Sequence, residues 1–264
     1  MGPEDITGLA RDPRFIPGIY NYCDRWCERC PFTARCLTYA MEQRQGAGPE
    51  TRDPSNAAFW ERLHETFQAT LELLKDLAER EGIDLASIDA EADAVEWERD
   101  REAREDHDLS RAAKAYARMV NEWFESADRL FEGKQDELNV KLELEVRHSD
   151  PIQEAATIED ATEILRWYQH QIYVKLMRAI SGAAEDEPSD PPESPRDSDG
   201  SAKIALIAMD RSIGAWGVLR QHFPEEGDTI IGVLAHLAQL RRKTEEAFPG
   251  ARAFVRPGFD TIPD

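Results

Sequence analysis

Four cysteines, Cys23, Cys27, Cys30 and Cys36, stand within fourteen residues of one another in the segment CDRWCERCPFTARC, and the chain has no others. Their spacing is C-x3-C-x2-C-x5-C. Thiolate is a soft ligand suited to iron-sulfur clusters, zinc or monovalent copper, and four thiolates this close in sequence can wrap around one centre. Disulfides, the competing use of four cysteines, belong to secreted chains and small cores. The first twenty residues carry Asp5, Arg11, Asp12 and Arg14 and no apolar run of signal-peptide length. The sequence therefore predicts a cytoplasmic protein with Cys23, Cys27, Cys30 and Cys36 as metal ligands.

Zinc sites usually come as two C-x2-C pairs separated by a longer loop. Here there is one such pair, with its neighbours close on either side. The stretch Cys27-x2-Cys30-Pro31-Phe32-x3-Cys36 resembles the C-x2-C-x5-C element of two 4Fe-4S families. These are the cluster-bearing nucleases of recombination complexes and CRISPR adaptation, and the auxiliary-cluster domains of radical S-adenosylmethionine enzymes. Both often place an aromatic or Pro-aromatic pair after the second of the three cysteines, as Pro31 and Phe32 stand here. The resemblance spans ten residues and implies a cluster type, 4Fe-4S, without implying an activity. Cys23-x3-Cys27-x2-Cys30 also matches the spacing of the radical S-adenosylmethionine signature. That family keeps one iron open on an α/β barrel, whereas Cys36 is on hand to fill the position and no strand-helix alternation follows.

The surroundings suit an anionic centre. Arg25, Arg29 and Arg35 are interleaved with the ligands, and Tyr20, Tyr22, Trp26 and Phe32 can exclude water. The arginines have a second use, pairing with Asp24 and Glu28. Four-thiolate ligation leaves no open coordination position, which points to a binding module rather than an enzyme, one that transfers electrons, senses redox state or is held together by its metal. The alternative is a zinc-stapled helical adaptor whose acidic connectors meet a basic partner. Neither reading names the redox or protein partner.

A third reading rests on two E-x-x-H pairs, Glu61 with His64 and Glu145 with His148, the number a ferritin-like di-iron bundle needs beside two further Glu. On a helix centred on Phe67, Glu61 points away from the apolar face. The second pair faces inward only if one helix continues through Gly133. Glu163, Arg166 and His170 on one apolar helix, and Asp210 with Arg211 on the next, predict interhelical ion pairs such as Asp210 with Arg166 or Glu163 with Arg211, or else a small polar pocket. His236 is expected at the surface.

The elements that must carry these residues read as an all-α fold, a bundle of about five helices behind a four-cysteine segment at 1–45. Apolar residues recur with helical period at 55–82 (Phe59, Trp60, Leu63, Phe67, Leu71, Leu74 and Ala78), with Asp53 or Ser55 as cap and Gly82 as stop. Helices follow from Asp108 through Phe131, at 157–181, at 202–223 and at 228–248. Residues 138–146 alternate like a strand but are rich in helix formers, with no second strand to pair, so they read as helix. The bundle, 55–248, includes a charged connector at 84–108 and an acidic, Pro-rich stretch at 183–200 that reads as a disordered loop. A tail at 249–264 closes the chain.

With 264 residues and 41% of them apolar, the chain can bury a real core. Its 53 acidic against 32 basic residues give a formal charge of -21, which repels phosphate backbones and anionic lipid, so no nucleic acid and no membrane are expected as partners. The sequence has no G-x4-G-K-[ST], G-x-G-x-x-G, H-E-x-x-H or G-x-S-x-G motif, which removes the usual footing for nucleotide-dependent and serine-hydrolase chemistry.

Overall fold

A computed structural model describes residues 8, 9, 11–44, 55–85, 90–146, 150–185 and 196–260. Among them the regular structure is helical throughout: α1 (Leu37–Arg44), α2 (Ala57–Glu81), α3 (Ala90–Glu105), α4 (Asp108–Ser126), α5 (Asp128–Glu143), α6 (Pro151–Glu185), α7 (Asp197–His222) and α8 (Gly227–Ala247), with short 3-10 turns at Cys27–Arg29, Thr33–Arg35 and Pro224–Glu226. The chain divides into two compact units. One is built from residues 1–99 and 256–264, the other from residues 100–255.

The second unit holds the large core. Residues Leu109, Ala113, Tyr116, Val120, Trp123 and Phe124 of α4 are buried at helical spacing. Helices α6 and α7 form the most extensive pairing, and their buried residues mix small side chains, such as Ala161 and Ala179 on α6 and Ala202, Ala205 and Ala208 on α7, with large ones, such as Leu165 and Ile172 on α6 and Leu206 and Leu219 on α7. Gly182 shows how close the backbones come, because a Cβ there would stand 3.3 Å from the amide nitrogen of Ser198. An aromatic knot closes the other end. Trp216 is fully buried, donates from Nε1 to the Tyr116 hydroxyl at 3.3 Å and meets Trp123 edge-on at 5.1 Å, with Phe131 and Phe223 around Trp123. Burying each such large side chain stabilises the fold by about 1.5–3 kcal/mol.

Several elements differ from the sequence expectation, beginning with the number of α-helices, which among the described residues is eight rather than about five. Residues 138–143 are helical, as their helix formers indicated, and Gly133 lies inside α5; of the alternating residues only Leu138 is buried, while Val140, Leu142 and Leu144 are exposed. The charged connector contains α3. Helix α6 extends to Glu185 and α7 starts at Asp197, so both invade the stretch expected as a loop; its middle, 186–195, lies outside the described residues. Asn56, not Asp53 or Ser55, caps α2, its Oδ1 accepting from the Ala58 amide at 3.0 Å, and Gly82 ends that helix at φ +67°. The apolar face of α2 is not core: Phe67 is 60% exposed.

The polar residues of the bundle pair differently from expectation. Asp210 receives Arg241 at 3.0 Å and Arg252 at 2.6 Å, neither of them Arg166, because α8 and the segment after it flank that face of α7. Arg211 instead donates to the Tyr168 hydroxyl, and Arg166 lies over the Phe124 ring at 4.2 Å. His236 is half-buried, its Nε2 at 2.8 Å from the Ala112 carbonyl oxygen. Glu154 on α6 gathers Lys141 at 3.1 Å, Lys134 at 3.7 Å and His222 at 3.2 Å. Burial raises its pKa, but the hydrogen bonds and charges of Lys141 and the hydrogen bond from His222 outweigh that and hold it below the usual glutamate range. Asp210 is likewise held low, its burial outweighed by Arg252 and Arg241.

Candidate metal centre

The cysteine segment is irregular because its sequence alternates turn formers with ligands, and short local bonds set each thiol. Cys27 opens one 3-10 turn, and the Cys30 amide closes it on the Cys27 carbonyl at 3.2 Å. The Cys36 amide closes the second on the Thr33 carbonyl at 3.2 Å, and Cys36 then starts α1, its carbonyl accepting from the Ala40 amide at 3.0 Å. Between Cys23 and Cys27 the chain reverses through Arg25, a non-glycine residue at φ +59°, with Asp24 Oδ1 accepting from the Trp26 amide at 3.3 Å. The sulfurs themselves are engaged: Cys23 Sγ donates to the Tyr20 carbonyl at 3.5 Å, and Cys30 Sγ accepts from the Phe32 amide at 3.4 Å. Amide donation of this kind stabilises charge on sulfur and tunes a bound centre.

All four cysteines line a single concavity with about 20 Å³ of free space, together with Ile19, Trp26, Tyr39, Glu42 and Phe259. Each thiol is half-buried, and none is in a disulfide. Burial first, then the Glu42 carboxylate and the neighbouring Cys23, push the Cys27 thiol up to about 11, with Arg25 pulling the other way. The guanidinium of Arg29 stacks over the Trp26 ring at 4.1 Å. Among the described residues no group of three or more His, Cys, Asp or Glu side chains stands in metal-holding geometry. The cysteines share the walls of one cavity without closing on a point, and each Sγ has one torsion, with three staggered wells, through which to turn.

The floor of the cavity comes from two Pro-Gly turns more than two hundred residues apart. In Ile16-Pro17-Gly18-Ile19 the Ile19 amide reaches the Ile16 carbonyl at 3.4 Å with Gly18 at φ +73°; in Arg256-Pro257-Gly258-Phe259 the Phe259 amide reaches the Arg256 carbonyl at 3.2 Å with Gly258 at φ +77°. Proline second and a positive-φ glycine third is the type II arrangement. The two turns nest: a Cβ on Gly258 would stand 2.9 Å from Ile16 Cδ1 and 3.0 Å from Ile19 Cδ1. This seats Phe259 against Phe32, edge-on at 5.0 Å, and Asp260 clamps the turn through Arg256 at 2.9 Å. Residues 249–264, read as one tail, therefore divide; up to 255 they belong with the bundle, and from 256 with the cysteines.

Among the described residues the di-iron constellation is not brought together. Glu61 and His64 are exposed on α2; Glu145 is exposed in the turn after α5, at φ +44°, because that helix stops at Glu143; His148 lies outside the described residues. Glu163, Arg166 and His170 are exposed rather than gathered around a polar pocket. The lining residues that the sequence did not single out are Ile19, Thr33, Thr38, Tyr39, Glu42 and Phe259, and the one signal for Phe259 was the repeated Pro-Gly dipeptide. No family model, no curated protein and no solved structure matches this chain. No described helix is long and apolar enough to cross a membrane.

Proposed function

We propose that the cavity lined by Cys23, Cys27, Cys30 and Cys36 holds a 4Fe-4S cluster that serves electron transfer or redox sensing. The supporting observation is that four cysteines from three separate turns, unbridged by disulfides, all face one concavity. The donor set fits: four thiols with an amide donor on one sulfur, aromatic walls in Trp26, Tyr39 and Phe259, and no histidine. Such a cluster would supply a one-electron couple. The protein's own part would be to bind it through the four thiolates, keep water off it with the aromatic walls, and shift its potential through the Phe32 amide and the arginines around it. With every ligand a cysteine no coordination position stays open, so the function is electron storage rather than substrate activation.

The test is metal and acid-labile sulfide analysis of protein purified without oxygen, read beside absorption at about 400 nm. The expected result is iron and sulfide in equal amounts and a reducible absorption band that Cys27→Ser abolishes. A colourless protein with one equivalent of zinc would replace this reading with the stapled adaptor. Two irons per chain surviving replacement of all four cysteines would replace it with the di-iron protein.

A further inference from the structure

We propose, resting on the reading that the four cysteines hold a cluster, that Glu42 sets its reduction potential: a fixed negative charge in the cavity wall that holds the potential low and makes the centre an electron donor. Helix α1 begins directly after Cys36, and its residues Thr38, Tyr39 and Glu42 line the cavity beside the four cysteines. At about 100° per residue these three fall within an arc of about 100°, so one face of α1 is turned to the cavity and Glu42 stands on it. The charged residues of the wall are Asp24, Arg25 and Glu42. Asp24 and Arg25 are neighbours of opposite sign, which leaves the charge of Glu42 as the net charge of the lining. Glu42 is half-buried, and among the described residues no lysine or arginine pairs with it. Glu154 and Asp210, also half-buried, each gather two or more cations. A half-buried carboxylate without a cation is costly, and this one shares its cavity with four sulfurs. Its influence is visible at Cys27, whose thiol only burial pushes up more.

Negative charge develops at the sulfurs in two ways, and a carboxylate in the wall opposes both. Reduction of a cluster held by four thiolates adds one electron and therefore one negative charge. Binding of a divalent ion to the metal-free site releases four protons from the four thiols, so the site gains two negative charges. One unit charge across a half-buried site changes an equilibrium on the order of tenfold. Removing the charge of Glu42 therefore eases reduction about tenfold, which for one electron is about 59 mV upward. The same removal tightens a divalent ion about 100-fold, because twice the charge is at stake. Arg25 acts in the opposite sense, and being exposed it acts more weakly. The carboxylate thus answers the arginines of the segment, and a centre under it gives up its electron readily.

Two measurements on the full chain test this. One is a cobalt(II) titration of the metal-free protein at fixed pH, followed by thiolate-to-cobalt absorption; the other is a spectroelectrochemical titration of protein purified without oxygen. Glu42→Gln, which keeps the shape and the helix-forming character but not the charge, should tighten cobalt about 100-fold and raise the midpoint potential by about 59 mV, with the helical circular dichroism kept. Glu42→Asp, which keeps the charge, should restore both quantities towards the wild type, and Arg25→Gln should move both the other way. A wild-type chain with no cobalt-thiolate absorption overturns the four-cysteine reading and this proposal together, and cobalt binding without a reducible band in the purified protein does the same by leaving a zinc site. A reducible centre whose potential and cobalt affinity Glu42→Gln leaves unchanged overturns the role of Glu42 alone. So does Glu42→Asp behaving as Glu42→Gln does, since that would be an effect of shape and not of charge.

Discussion

Gly258→Ala tests whether the last turn of the chain is a working part of the cysteine site. Alanine at φ +77° costs about 1–2 kcal/mol for the left-handed backbone. The new methyl would also stand 2.9 Å from Ile16 Cδ1 and 3.0 Å from Ile19 Cδ1, inside ordinary contact, and overpacking of this kind costs about 1–3 kcal/mol. Because the isoleucine tips can swing partly aside, the sum is about 2–4 kcal/mol against the seated turn. The amides that report it are those of Ile19, Asn21, Cys30 and Cys36, bonded within the segment the turn covers. Hydrogen exchange followed by mass spectrometry should show them exchanging about 30- to 800-fold faster, at tenfold per 1.4 kcal/mol, with exchange in the bundle unchanged. If exchange accelerates only around residue 258 and the cysteine peptides keep their protection, the nested turns do not support the cavity and the reasoning fails.

Three further outcomes follow from the bundle. Gly232→Ala on α8, where a Cβ meets nothing within 4 Å, should stabilise the 100–255 unit by about 0.5–1 kcal/mol, seen as a higher melting temperature; a lower one would mean that helix is not formed as described. Trp216→Ala should cost about 3–5 kcal/mol in urea titration, and Trp216→Phe about 1–3 kcal/mol, because it strips the Tyr116 hydroxyl of its indole partner; no loss in Trp216→Phe would show that the hydrogen bond contributes nothing. The low pKa values of Glu154 and Asp210 give stability that is complete above the ordinary carboxylate range and lost as pH falls through their lowered folded-state values. Glu154→Gln should therefore lower the urea midpoint at pH 7, by about 1 kcal/mol for this partly solvated group, and flatten its decline in acid; an unchanged acid slope would remove Glu154 from the account.

The helical character was legible because its signal is local. Apolar residues three and four apart mark α2, α4 and α8 wherever one reads them, and the burial along α4 follows that period. What was not legible is what each face meets. Leu142 and Leu144 satisfy a strand alternation as well as a helix, and only the helix geometry shows that they are exposed. The stripe on α2 looks like core in sequence, yet it is displayed. Asp210 was assigned to Arg166 because neighbouring helices were the available partners; its true ion pairs come from α8 and the segment beyond it. For the cysteines, spacing was enough to place all four together. It held no trace of Phe259, since contacts across more than two hundred residues leave no period in a chain.

The order of synthesis gives the second Pro-Gly turn a temporal meaning. A ribosome moving at about 5–20 residues per second needs roughly 10–45 s to travel from Cys36 to Phe259. For that interval the four cysteines have been made and Phe259, which lines the same concavity, has not. Once Phe259 has been made, all of the residues that line the concavity are present.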